Sequence, residues 1–376
     1  MLGIPIITSA QDFQNFGQLQ ILNDGAMGVF SDWANHSELS KNDGTIGFHG
    51  TENQSLYGDA TLDLNDMEIN NTIDLFLTIN IYNNLNFIFG NINIDKSQTA
   101  NTVVIKPLAF YTGSSNLSKV NGFCTVENTT EFLFPIGDNQ ELKALGIESE
   151  EANTKTTSAY FKNNPLENTD FNTLNLSKTQ EEVKKVSNRE YWVLESNIPS
   201  KVTLSWSKNS HLDDLSNKID NITLLGWNIL EQEWQSLKTE NINGSIEEGF
   251  LKSKTFIPSE FAMLTFGITE DSLEEDPFLE DKDGGYVVTP NGDGINDYLE
   301  LDDITIKNND VLKVYNRYGR LVYEGTGSKA KFYGIANRVK PLGSSKLIDG
   351  VYYFLVYKTG TDIVIPGFLY LTSGNN

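Results

Sequence analysis

One cysteine and three histidines in 376 residues remove several chemistries at once. Cys124 has no partner for an intramolecular disulfide, so any extracellular domains here must be held by core burial, with or without bound ions. It is expected to be a small buried hydrophobe rather than a reactive thiol. His36, His49 and His211 have no companion at metal-ligand spacing and no neighbouring nucleophile signature. No nucleophile elbow, phosphate-binding loop, dinucleotide fingerprint or zinc-protease motif occurs. Carboxylates are too common to nominate a glycosidase pair, which is defined by separation in space. No catalytic residue is nominated, and a non-enzymatic protein is expected. Basic residues are also scarce, 28 against 51 acidic ones, and a net charge of -23 repels phosphate backbones and excludes nucleic acid as the expected partner. No segment has the 18 or so uninterrupted apolar residues of a membrane helix, so the mature protein is expected to be soluble in itself.

What is abundant is Asn, with Val, Ile, Leu, Phe and Tyr in short alternating runs, a composition that predicts an all-β protein. Only residues 178–187, KTQEEVKKVS, read as helix. The length suggests two or three domains. The start, MLGIPIITSAQDF, has the shape of the end of a secretory signal, with Thr8-Ser9-Ala10 as a small-residue cleavage site but no basic region before it. Residues 1–10 are therefore read as a truncated signal-peptide remnant, with an ordinary first strand as the alternative.

Residues 11–147 form the first expected domain. Ile73, Leu75, Leu77, Ile79 and Ile81 share one face at period two, Asp74, Thr78 and Asn80 the other, and Leu85, Phe87 and Phe89 repeat the pattern. Rungs recurring at short intervals with Asn near their ends suit a β-solenoid-like stack better than one large sandwich. Asn ladders and left-handed turns would account for the Asn excess. Residues 148–268 are read as a β-sandwich preceded by a polar, exposed excursion over 148–190. Its Trp192, Trp206, Trp227 and Trp234 suit a core, with a sugar-stacking platform as the alternative. Residues 269–285, TEDSLEEDPFLEDKDGG, are an acidic linker, and residues 286–376 are expected to form a compact immunoglobulin-like sandwich of six or seven strands.

The richest local signal is TPNGDGIND at 289–297. Asn291, Asp293 and Gly294 are spaced like three positions of a calcium loop, but Thr289 stands where a carboxylate is required and no Glu closes the loop. A looser calcium site of Asn291, Asp293, Asn296 and Asp297, helped by Asp281 and Asp283, is one reading. The other is a structural turn, with Gly292 and Gly294 at positive φ and Asn or Asp side chains satisfying backbone amides. No other cofactor is expected.

Together with VYNRYGRLVYEG at 314–325 and DGVYYFLV at 349–356, this stretch resembles the gliding-motility-associated C-terminal domain, the type B sorting domain of the Bacteroidetes type IX secretion system. Tyr318 stands where that family usually has Trp, and Ile348 where Pro often precedes Asp-Gly. Residues 130–267, with EFLFPIGD, REYWVLES, KVTLSWS and FAMLTFG, resemble recurring phrases of long Bacteroidetes surface proteins. The resemblance implies export by the type IX translocon and retention at the outer membrane by a PorP/SprF-type barrel protein; an adhesin-like or gliding-associated role is the leading expectation, with a secreted carbohydrate-binding module or hydrolase using the same sorting domain, or a small structural subunit capping its barrel partner, as alternatives. Surface polysaccharide is a further candidate partner. It also implies that Asn291, Gly292, Asp293, Gly294, Asn316, Arg317, Tyr318 and Gly319 face the partner. Asp271-Ser272-Leu273 matches the O-glycosylation pattern of such secreted proteins, with Ser272 as acceptor.

Overall fold

The computed structural model describes residues 12–38, 43–167, 175–270, 286–292, 294–301, 306–307, 309–317, 319–327, 330–338, 345–361 and 364–372. Among these residues the structure is all-β, and the helices are single 3-10 turns. None is long and apolar enough to cross a membrane. The chain divides into two compact units, the first holding Met1–Thr129, Phe134–Leu142 and Ala152–Phe161, the second Thr130–Leu133, Lys143–Glu151 and Lys162–Asn376.

The first unit is solenoid-like. Its strands are β1 (Phe13–Asn15), β2 (Ala26–Val29), β3 (Trp33–Asn35), β4 (Thr45–Phe48), β5 (Gln54–Gly58), β6 (Leu62–Ile69), β7 (Ile73–Leu75), β8 (Ile79–Phe87), β9 (Ile92–Ile94), β10 (Val103–Ile105), β11 (Phe110–Thr112), β12 (Val120–Asn121) and β13 (Cys124–Phe134). Odd strands β1, β3, β5, β7 and β9 stack with β12 in one parallel sheet; β2, β4, β6, β8, β10 and β13 stack in another. The chain therefore alternates between two sheets, and each circuit adds one rung to both. Parallel register aligns like residues: Leu62, Ile79, Val103 and Cys124 form one inward row, and Leu64, Ile81, Ile105 and Val126 the next. All eight are buried, and burial holds the Cys124 thiol far above its usual pKa, which makes it inert.

The apolar run from Ile73 to Ile81 is buried as its alternation predicts, but it turns a corner between β7 and β8 rather than forming one strand. Phe89 departs from the pattern: it is exposed because β8 ends at Phe87 and the chain turns through Gly90 at φ +93°. Asn does form ladders. Asn15 donates to Asn35 at 2.8 Å, and Asn35 to the Thr61 carbonyl at 2.8 Å; outside, Asn93 donates to Asp74 at 2.9 Å and Asn121 to Asn93 at 3.3 Å. Each amide bridges successive rungs, the one place where a polar side chain can supply both donor and acceptor along the stack.

The second unit takes over along β14 (Leu145–Phe161), whose residues 145–151 belong to it. The expected polar excursion is thus in large part strand. In β14 Glu148, Glu150, Glu151, Thr154 and Lys155 are exposed, while Asn153, Thr156, Ser158, Ala159 and Tyr160 are buried, so the polar stretch is a paired strand and not a loop. The expected helix at 178–187 is not formed: β15 (Val183–Val186) pairs antiparallel with β22 (Phe261–Thr269). Ten residues are too few for a stable isolated helix, and pairing with an apolar strand overrides local propensity. Between these lie β16 (Tyr191–Glu195), β17 (Ser200–Trp206), β18 (Ile222–Asn228), β19 (Glu233–Ser236), β20 (Thr239–Gly244) and β21 (Gly249–Ser253). Antiparallel runs β19-β18-β22 and β14-β17-β21-β20 bring in the aromatic core. Trp192 and Trp206 both meet Phe266 edge to face, at 5.5 and 5.9 Å, and Trp227 meets Trp234 at 5.6 Å. All four tryptophans are buried, so they build the core and offer no sugar platform.

Asn35 is fully buried and makes the ladder bonds to both neighbouring rungs. Asn35→Ala is expected to destabilise the first unit by about 1–3 kcal/mol, because the Asn15 amide and the Thr61 carbonyl lose a buried partner. A urea-denaturation midpoint equal to wild type would contradict that role.

Candidate functional site

The last strands of the second unit are β23 (Tyr286–Val288), β24 (Val311–Asn316), β25 (Leu321–Thr326), β26 (Gly350–Tyr357) and β27 (Val364–Leu371), in one sheet of order β23-β27-β26-β24-β25. Among the described residues DYLELDDITI contributes no strand: 298–301 and 306–307 are irregular and 302–305 lie outside them. The inner face of the sheet packs Val288, Leu312, Val314, Tyr352, Phe354, Val356, Leu369 and Leu371 with Leu299, Phe332 and Ala336 from irregular segments. Loops, rather than a second set of described strands, close this core.

Register brings the three sequence motifs to one end of this sheet. Val288 pairs with Leu371, Leu371 with Gly350, and Asn316 with Tyr352. The stretch that begins at Thr289 after β23, the hairpin tip after Asn316, and the Asp349-Gly350 start of β26 therefore share an edge. The loop after β23 and the hairpin tip stand three strand spacings apart, about 14 Å. They are two separate features of that edge.

The 289–297 loop is closed by its own groups. Both oxygens of Asp297 accept backbone amides, from Gly292 at 2.7 Å and Gly294 at 2.9 Å. The Thr289 amide donates to the Asn296 carbonyl at 2.7 Å and its hydroxyl to the Ile295 carbonyl at 3.1 Å. Gly292 and Gly294 sit at φ +83° and +86°, and Asn296 at +52°. These are the bonds and angles of the structural turn. Among the described residues no three His, Cys, Asp or Glu side chains gather as a metal site. Asp293, and with it Asp281, Asp283 and Ser272, lies outside the described residues.

The hairpin tip is tied down as tightly. Asn316 accepts the Arg320 amide on its side chain at 3.0 Å and the Gly319 amide on its carbonyl at 2.9 Å, with Gly319 at φ +76°. Tyr318 lies outside the described residues, while Arg317 lowers and Asp349 raises the Tyr352 hydroxyl, whose pKa burial pushes up to about 12. Gly319 does not point into open space: a Cβ there would come within 2.5 Å of Thr203 on β17 and 3.4 Å of Phe250 on β21.

Two features escaped sequence reasoning. Asp310, 1% exposed, ties the start of β24 to the end of β26 by accepting from the Lys358 ammonium at 2.7 Å and from the Lys307 and Thr359 amides at 2.8 and 2.9 Å. Those three bonds hold its carboxyl down to about 2, the Lys358 bond most of all. The second is an apolar outer face. Tyr315, Tyr353 and Leu355 bury against Phe250, with ring centroids 5.5 Å and 5.4 Å from Phe250 for the two tyrosines. The Tyr353 hydroxyl donates to the Glu248 carbonyl and the Asn243 amide to the Phe354 carbonyl, both at 3.3 Å. The unbroken apolar run Tyr352–Val356 was the available signal, since a strand covered on one face alternates.

Residues 285–371 match the family model of the CHU_C type IX secretion signal domain. No curated protein and no solved structure matches the chain. The C-terminal part is thus a sorting domain of the Bacteroidetes type IX system.

Two outcomes are expected. Asp297→Ala removes the acceptor of two loop amides, at a cost of about 1–3 kcal/mol to loop closure; faster proteolysis within 289–297 would register it, and unchanged cleavage would refute it. Asp310 titrates below its ordinary 3.8 in the folded state, so its stabilisation is complete above about pH 4 and is lost as pH falls toward 2. Asp310→Asn should flatten that acid limb of a stability-against-pH curve; an unaltered limb would contradict the assignment.

Proposed function

We propose that this chain, carried out of the cell as type IX cargo by its C-terminal signal domain, is a non-enzymatic surface protein retained by a PorP/SprF-type outer-membrane barrel, with an adhesin-like or gliding-associated role. The observation that carries the reading is the signal domain itself, with its three motifs on one sheet edge. Export to the cell surface or the extracellular space follows directly from it. Retention by a barrel and the adhesive role are the further steps.

The stacked first unit supports a display role. Its outer face carries Asp63 with Asn80 and Asp66 with Asn83, each pair at 2.6 Å, side by side along the neighbouring strands β6 and β8. Such pairs present carboxylates and amides to an extended polar polymer, so contact with surface polysaccharide is assigned to them rather than to the buried tryptophans. An immunoglobulin-like sandwich for the signal domain and a sandwich for the preceding domain belong to the same reading.

In a host with a working type IX system, deletion of residues 286–376 is expected to leave the remainder in the periplasm, while the full chain reaches the surface and co-purifies with a barrel protein from detergent-solubilised outer membranes. Export of the truncated chain at the full-length level would overturn the sorting assignment. Surface delivery without a co-purifying barrel would remove only the retention step.

A further inference from the structure

The outer face of the signal-domain sheet is apolar along its length but covered along only part of it. Register places Tyr315, Tyr353 and Phe368 in one cross-strand row, and Val351, Tyr370 and Val287 in the next. Direct partners in a sheet point to the same side, so these rows form one continuous face. Phe250 of β21 covers its β24 and β26 portion, where Tyr315 and Tyr353 are 7% and 2% exposed. On β27 and β23 the face opens: Phe368, Tyr370 and Val287 are 43%, 50% and 47% exposed. The opposite sides of the same strands are closed, with Val288, Leu369 and Leu371 in the inner core.

We propose that Val287, Phe368 and Tyr370 are the docking surface on which the signal domain is read, and that the occupant is an apolar surface of the type IX export machinery. The surface rests on the reading of residues 285–371 as a sorting domain, and it names where on that domain the reading takes place. Three observations point there. The exposed residues continue, without a break in the sheet, an interface that an aromatic side chain already fills, so the face has the chemistry of a buried contact. Tyr370 lies beside Val351 and Val287, one residue from the edge where the three motifs meet. The other sites expected to meet the partner are committed elsewhere, since the hairpin-tip Gly319 abuts Thr203 and Phe250, and the 289–297 loop spends Asp297 on its own amides. Aromatic side chains at the centre of an apolar contact carry most of the energy of such interfaces.

The test uses the full chain in a type IX-competent host, with export read as the surface-to-periplasm ratio. Phe368→Ser with Tyr370→Ser is expected to lower that ratio by about tenfold or more, the effect of losing one interface hot spot, with no change in melting temperature. Phe16→Ser with Phe30→Ser, which removes two aromatics that are each 71% exposed on the first unit, should leave export unchanged. Should the double serine variant melt lower, Tyr370→Lys decides, because it adds charge to the face at a half-exposed position. Normal export of a folded Phe368/Tyr370 variant, or of Tyr370→Lys, overturns the docking surface and leaves the sorting assignment standing. Normal export after deletion of 286–376 overturns the sorting assignment itself.

Discussion

The C-terminal domain depends on one central strand that is apolar on both sides. In β26 the residues from Tyr352 to Val356 are all buried, with Tyr352, Phe354 and Val356 facing inward and Tyr353 and Leu355 outward. Such a strand is stable only if something dry covers each face. Inward, irregular segments carrying Leu299 and Phe332 meet the need. Outward, the cover is Phe250 on β21, in the same compact unit but ahead of the signal domain in the chain. The signal domain and the strands before it, which belong to one compact unit, are therefore joined by a side-chain contact.

That contact sets what the sorting domain offers to the outside. Phe250 occupies the middle of the outer face, and the β24–β25 hairpin turns toward the same neighbour through Gly319. What is left is the β23–β27 side of the sheet and the self-closed loop that follows β23. Asp310 and Asp297 serve this arrangement by the same device. Each carboxylate gathers two backbone amides that a loop would otherwise leave unsatisfied, so the strand ends are held without a disulfide in a chain that cannot form one.

The parts of this protein that were legible in its sequence are those where side-chain period and strand pairing agree. Ile79 and Ile81 alternate with Asn80, and their rows in the solenoid follow from that alternation alone. In TPNGDGIND the sequence left a looser calcium site and a turn both open, and the described residues show the turn's positive-φ glycines and the amides gathered by Asp297. Where pairing competes with local pattern, the reading failed: residues 183–186 look helical in isolation and are strand because β22 lies alongside, and the polar 148–161 stretch is strand, with Asn153, Thr156 and Ser158 buried in it. The hidden partners were those distant in sequence. Nothing near Tyr353 in the chain announces Phe250 or Glu248, and nothing near Asp310 announces Lys358.

Composition, fold and the matched signal domain converge on an exported β-protein whose last domain supplies the address. The direct measurement is the distribution of the intact chain between periplasm and cell surface in two otherwise identical strains, one with a working type IX translocon and one without. The account predicts surface material in the first strain and periplasmic accumulation in the second. Equal surface delivery in both would contradict it.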